Sequence, residues 1–203
     1  LAGALSRDGF HSERAEWDGE PSPAPGGAAG FLENHMVLVT RPAPDFTAAA
    51  VLGNGEIVEN FNFKQHTNEA WREVVGVSFD SEFVHNAWRN TPVDKGGIGA
   101  VKYAMVADIK REIQQAYGIE HPDAGVALRG SFLIDANGIV RHQVVNDLPL
   151  GRNIDEMLRM VDALQFHEEH GEVCPAQWEK GKEGMAASPD GVAKYLSENV
   201  SSL

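Results

Sequence analysis

The single thiol of the 203-residue chain is Cys174. A thiolate is both a nucleophile and a redox group. Taken alone, Cys174 reads as an inert thiol, because one cysteine closes no internal disulfide and any disulfide must be intermolecular. The second residue of interest is Arg129, which interrupts the apolar run from Gly125 to Asp135. It stands where the chain enters a rigid hairpin, so its fork is held in a fixed direction. The plainer reading is an arginine paired to a carboxylate at a sheet end. Two other clusters fail on spacing. His167-Glu168-Glu169-His170 is one residue short of the His-Glu-x-x-His zinc spacing and reads as a solvated helix end, so no metal is expected. In Lys95-Gly96-Gly97-Ile98-Gly99 the third glycine of a Gly-x-Gly-x-x-Gly spacing is missing, because Lys102 stands there, and the stretch precedes a strand, which excludes a phosphate cradle.

The elements that position these residues are legible from periodicity. Ser131–Asp135 and Ile139–Val145 flank Ala136-Asn137-Gly138, which predicts a hairpin with a type I′ turn. Phe46–Leu52 and Glu56–Phe63 flank Gly53-Asn54-Gly55 and predict another. Val74–Val77 and Val101–Val106 are apolar strands. Asp80 or Ser81 caps a helix whose Phe83, Val84, Ala87 and Trp88 form its apolar face. Asp108 or Lys110 opens a helix through Ile113, Ala116 and Tyr117 that ends at Gly118. Asn153 caps the clearest helix, with Glu156 as capping-box partner and Ile154, Met157, Leu158, Val161 and Leu164 at helical spacing. From Gly171 the chain reads as an arm.

Seventeen basic against thirty acidic residues give a net charge of −13, which argues against nucleic-acid and anionic-membrane partners. No apolar run reaches membrane-spanning length, and no secretory signal is visible. One cysteine suits a reducing compartment, so a cytoplasmic location is expected. Residues 1–35, with Pro21-Ser22-Pro23-Ala24-Pro25-Gly26-Gly27, read as a flexible extension ahead of Met36.

Five stretches carry a family resemblance: Met36–Phe46, Val74–Ser81, Gly125–Asp135, Asp147–Arg152 and Gly171–Trp178. In this order they resemble the typical two-cysteine peroxiredoxins of the bacterial alkyl hydroperoxide reductase C type. The resemblance implies an α/β, thioredoxin-like domain over 36–170 and a C-terminal arm over 171–203. It implies a thiol-specific peroxidase of hydrogen peroxide and alkyl hydroperoxides. In such an enzyme a thiolate becomes a sulfenic acid, and a second thiol then closes an intersubunit disulfide. No cofactor is implied. Thioredoxin or a flavoprotein disulfide reductase would donate electrons, and the chain would form a homodimer or a larger ring. Arg129 would activate thiolate and peroxide, Arg152 would brace the active-site helix, and Cys174 would be the resolving cysteine. Arg129 is then expected to be partly buried, with a carboxylate or carbonyl partner.

One part of the family pattern is missing. The Pro-x-x-x-Thr-x-x-Cys motif belongs between the first hairpin and the Val74 strand. Here His66-Thr67-Asn68 runs through a non-family junction, 69–73, into Val74. The missing piece is on the order of 30 residues if it is one βα unit. The resemblance makes its strand central, so an incomplete domain is expected, with a gap of about 9–10 Å and unpaired edges unless the sheet recloses. The alternative function is therefore a peroxidase-dead remnant or engineered deletion, oligomer-forming or holdase-like.

Overall fold

The computed structural model describes residues 37–67 and 73–199. The expected extension 1–35 and most of the junction 69–73 lie outside the described residues. Strands β1 (Thr47–Val51) and β2 (Ile57–Asn62) form the first expected hairpin. Its turn is held locally: Gly55 takes φ +91°, and Asn54 Oδ1 accepts the Glu56 N–H at 2.9 Å. Beyond the hairpin and the short helix α1 (Phe63–Thr67), β3 (Val75–Ser78) runs parallel to β4 (Ala104–Ala107), and β4 also pairs antiparallel with β1. The order is β2-β1-β4-β3. All four β4 residues are buried, as a continuous apolar strand inside a sheet should be.

Strands β5 (Arg129–Ile134) and β6 (Val140–Asn146) form a separate two-stranded antiparallel sheet. The single sheet of the resemblance is thus two sheets here, and among the described residues β3 ends the first with one neighbour. The two remain joined by packing. Phe132 of β5 meets Tyr117 edge-on at 4.8 Å, and Val140 of β6 is fully buried in the cluster of Leu38, Ala50, Phe61, Val106 and Ile113. Burial of a side chain such as Val140 contributes about 1.5–3 kcal/mol. The chain at Thr40–Ala43 also bonds the β6 hairpin, through the Thr40 N–H to the Val140 carbonyl and the Ala43 N–H to the Gly138 carbonyl.

Four local expectations change. The β5–β6 turn is not type I′, because Gly138 alone has positive φ (+76°). Asp135 Oδ1 instead accepts the N–H groups of Asn137 and Ile139, which holds the turn from its first residue. Helix α2 (Glu82–Asn90) has its expected cap, Ser81, accepting the Val84 N–H. Its apolar face, however, points outward, with Phe83 67% and Trp88 44% exposed, while His85 and Arg89 are buried. Arg89 donates to the carbonyls of Leu52 and Gly53 at 3.1 and 2.6 Å. These bonds satisfy the β1–β2 turn and fix which face turns inward.

Helix α3 is short (Glu112–Ala116) and starts later than expected. Asp108 still serves its N-terminus, because its buried carboxylate accepts the Ile113 and Gln114 N–H groups, and Gly118 follows at φ +64°. Helix α4 (Ile154–His170) is capped by Asn153 as expected, whereas the Glu156 carboxylate turns to Arg159 instead of closing a capping box. Gly171, at φ +70°, ends α4, a Val173–Met185 bridge follows, and α5 (Pro189–Asn199) closes the described chain.

Candidate functional site

Arg129 is the first residue of β5, and it is exposed, not partly buried. Its partner is a carbonyl: Nε donates to Leu148 at 3.2 Å. Leu148 sits in the tight Asp147–Leu150 turn that leads out of β6 toward α4. Arg152, on the same connection, donates through Nη1 to the Gly130 carbonyl at 3.1 Å. The two arginines therefore tie the start of β5 to the α4 approach in reciprocal fashion. No carboxylate of the described residues pairs with either, so the sheet-end ion pair is not what holds Arg129.

Cys174 lies elsewhere. It is half-buried against α4, and its thiol donates to the Ala163 carbonyl at 3.5 Å. A cavity of about 270 Å³ beside it is lined by Leu133, Met160, Ala163, Leu164 and Val173. Burial pushes the Cys174 thiol up, against the opposing pull of Arg159. Arg159 is itself bound to Glu156 at 2.6 Å and to the Trp178 carbonyl at 2.9 Å. Leu133 is four residues along β5 from Arg129, about 13 Å at the rise of an extended strand. The structure brings Arg129 and Arg152 together and leaves Cys174 apart from them.

The chemistry available follows from this split. The arginine corner presents fixed positive charge with no thiol beside it. The thiol sits in an apolar setting that favours its protonated, unreactive form. Among the described residues no group of three histidine, cysteine or carboxylate side chains could hold a metal ion. His167 Nδ1 contacts the Glu172 carbonyl, and His170 stacks on Phe166 at 4.4 Å, so these two histidines finish the helix.

One polar cluster was not anticipated from the sequence. His85 Nε2 lies 2.6 Å from Ser78 Oγ, and Ser78 donates to Asp80 Oδ2 at 3.0 Å. The apolar face expected for α2, formed by Phe83, Val84, Ala87 and Trp88, did not include His85, and periodicity carried no signal for its burial. Arg159 was also missed, although its i,i+3 spacing from Glu156 was visible.

Comparison with known proteins completes the site's context. Residues 56–143 match the AhpC/TSA family, and residues 163–198 match the C-terminal domain of 1-Cys peroxiredoxin. The chain is 50% identical to alkyl hydroperoxide reductase C of Buchnera aphidicola subsp. Schizaphis graminum over 198 positions, covering 82% of this chain and all of the relative. Since 82% of 203 residues is about 166, about 32 of those 198 positions have no counterpart here. The Helicobacter pylori (strain J99) alkyl hydroperoxide reductase C is 51% identical over 195 positions, covering 80% of this chain and 98% of the relative. The solved reduced 2-Cys peroxiredoxin of Plasmodium vivax superposes with a TM-score of 0.74 at 38% identity, covering 79% of this chain and 99% of that one. The fold is the thioredoxin-like α/β fold of these neighbours, and the chain belongs to the AhpC/TSA family of peroxiredoxins.

Proposed function

We propose that this chain retains the accessory half of a thiol-specific peroxidase and lacks the half that attacks peroxide. In the complete cycle a thiolate attacks the O–O bond, taking one oxygen as sulfenic acid and releasing water or an alcohol. A second thiol then displaces water from the sulfenic acid to give a disulfide. The cycle consumes two distinct thiols, and this chain has one. The observation that carries the reading is Cys174 itself, a half-buried thiol raised by burial and set apart from Arg129 and Arg152. The shortfall of about 32 positions against the Buchnera relative supports an internal loss of the expected size.

In this reading Cys174 is the resolving cysteine, Arg129 the residue that would activate thiolate and peroxide, and Arg152 its brace. Residues 36–170 form the domain and 171–203 the arm. The substrates of the complete enzyme are hydrogen peroxide and alkyl hydroperoxides, with thioredoxin or a flavoprotein disulfide reductase as donor. A cytoplasmic location fits one unpaired thiol, and no described helix is long and apolar enough to cross a membrane. Self-association is supported by the outward apolar face of α2, because a helix normally turns such a face inward.

The test is a coupled assay that follows NADPH loss with peroxide, thioredoxin and its reductase, with Cys174→Ser as control. No turnover above the control is expected. Missing positioning and charge stabilisation of the thiolate typically cost factors of 10³ or more. Sustained turnover abolished by Cys174→Ser would show that one thiol suffices.

A further inference from the structure

The described chain holds two Asn-Gly pairs, Asn54-Gly55 and Asn137-Gly138, each in a hairpin turn with its asparagine exposed. Asparagine before glycine is open to an intramolecular reaction, because glycine carries no side chain to shield its own nitrogen. That nitrogen loses its proton to hydroxide and attacks the asparagine Cγ. An N–C bond forms, ammonia leaves with a proton from water, and a succinimide results. Water then opens the ring to aspartate or isoaspartate. Both glycine N–H groups donate within their turns, Gly55 to the Leu52 carbonyl at 2.8 Å and Gly138 to the Asp135 carbonyl at 2.9 Å. Sequence and this bond are therefore alike at the two pairs, and only their surroundings differ.

We infer that the folded β1–β2 turn makes Asn54 a self-modifying site, converted to aspartate or isoaspartate, while the β5–β6 turn protects Asn137. The attacking nitrogen must first become an anion, and at Gly55 a cation stands beside it. The Leu52 carbonyl that accepts the Gly55 N–H also accepts Arg89 Nη1 at 3.1 Å, so one oxygen joins the two nitrogens. Arg89 Nε lies 4.0 Å from the point where a Gly55 side chain would begin. Arg89 is only 8% exposed, so water screens its charge little. The oxygen that turns negative next is Asn54 Oδ1, which already accepts the Glu56 N–H at 2.9 Å. That bond closes an Asx turn and folds the side chain back over the Gly55 peptide. The Glu56 carboxylate, 3.4 Å from Asn54 Nδ2, opposes the developing charge, but it is exposed and screened. At the second pair these features are reversed. The matching N–H, that of Ile139, goes to Asp135 Oδ1 at 2.9 Å instead of to the asparagine. The charge built into this turn is the buried Asp135 carboxylate, which repels an anion forming at Gly138, and Arg141 is committed to its other oxygen at 2.7 Å. The Gly138 carbonyl is also held by the Ala43 N–H at 2.8 Å, so this turn resists the movement that ring closure needs.

The test is a time course of the whole chain in mildly alkaline buffer, once folded and once in urea, followed by peptide mapping in a mass spectrometer. In the folded chain Asn54 should be converted at least about tenfold faster than Asn137, a barrier difference of about 1.4 kcal/mol. In urea the two pairs should react at similar rates, because only their like sequences remain. Equal rates in the folded chain, or a faster Asn137, overturn the inference. So does a preference for Asn54 that persists in urea, since sequence alone would then account for it. Arg89→Met separates charge from looseness of the turn. With an unchanged circular-dichroism spectrum, its Asn54 rate should fall toward that of Asn137. An unchanged or higher rate would show that the guanidinium does not drive the reaction, which also overturns the inference. Should Arg89→Met fail to fold, the comparison of folded and urea-treated wild-type chain decides alone.

Discussion

Ser78 Oγ and His85 Nε2 lie 2.6 Å apart, which pins helix α2 to the edge strand β3 through a hydrogen bond inside the protein. Ser78 has one proton, and it goes to Asp80 Oδ2. The ring must then be the donor, so Nε2 carries the proton in the neutral histidine. The line from His85 through Ser78 to Asp80 ends on a carboxylate. It is polar machinery under the helix, with the apolar residues outside.

Acidification should destabilise the fold through His85. Burial holds it below the usual imidazole range, against Asp80, the nearby Met105 backbone and Glu82, which pull the other way. His142 is lowered as well, chiefly by burial. A histidine lowered in the folded state binds its proton more readily when unfolded. Stability is therefore full above the unfolded value of about 6.5 and is lost as pH falls toward the folded one. Thermal melts from pH 8 to 5 should show Tm falling across that window. His85→Gln should flatten the fall, and a Tm that rises on acidification would contradict the assignment.

Arg89→Ala should cost about 2–3 kcal/mol, since it removes two charge-assisted hydrogen bonds and strands the Leu52 and Gly53 carbonyls. Arg89→Lys should recover only part of this, because a single ammonium does not reproduce the guanidinium fork. Urea denaturation of both variants measures the difference. A loss for Arg89→Ala below about 0.5 kcal/mol would mean that other contacts orient α2.

These residues also show where sequence reading stops. The two hairpins were legible because their turn signals are local: Gly53-Asn54-Gly55 and Asn137-Gly138 act within a few residues. The turn type at Asn137 was not legible, because the Asp135 side chain takes over two N–H groups. The face of α2 was misread because its burial is set by carbonyls 36 and 37 residues earlier in the chain. Arg129 and Arg152 were found through motif resemblance. Their mutual bracing through Leu148 and Gly130 depends on how β6 turns toward α4. Cys174 was visible as the lone thiol, but its contact with Ala163 and its proximity to Arg159 are tertiary.

Asp135→Ala should destabilise the β5–β6 hairpin by about 2 kcal/mol. Its side chain is fully buried, accepts two turn N–H groups and holds Arg141 at 2.7 Å. Burial alone would raise its pKa, but the Ile139 N–H, Arg141 and the Asn137 N–H together bring it below the usual carboxylate range. Its contribution is present above the unfolded value of about 3.9 and fades as pH falls through the folded value. Amide exchange at Asn137 and Ile139 should accelerate in Asp135→Ala, whereas unchanged protection there would place the turn's stability elsewhere.

Cys174 should alkylate slowly at neutral pH, with a midpoint against pH above that of an ordinary thiol. Burial raises the thiol, and Arg159, which opposes this, is already committed to Glu156 and the Trp178 carbonyl. Removing the guanidinium tests the balance. Arg159→Met keeps much of the side chain's bulk while deleting the cation that lowers the thiol, so the midpoint of alkylation against pH should move higher. Glu156→Gln should act in the opposite sense by leaving more of the Arg159 charge available to a thiolate. Iodoacetamide kinetics on the folded chain and on the urea-unfolded chain separate burial from intrinsic reactivity. The unfolded chain should react with the midpoint of an ordinary thiol, about 8.5. A folded midpoint below that value would mean that Cys174 is activated, and it would reopen the case for thiol chemistry by this chain alone.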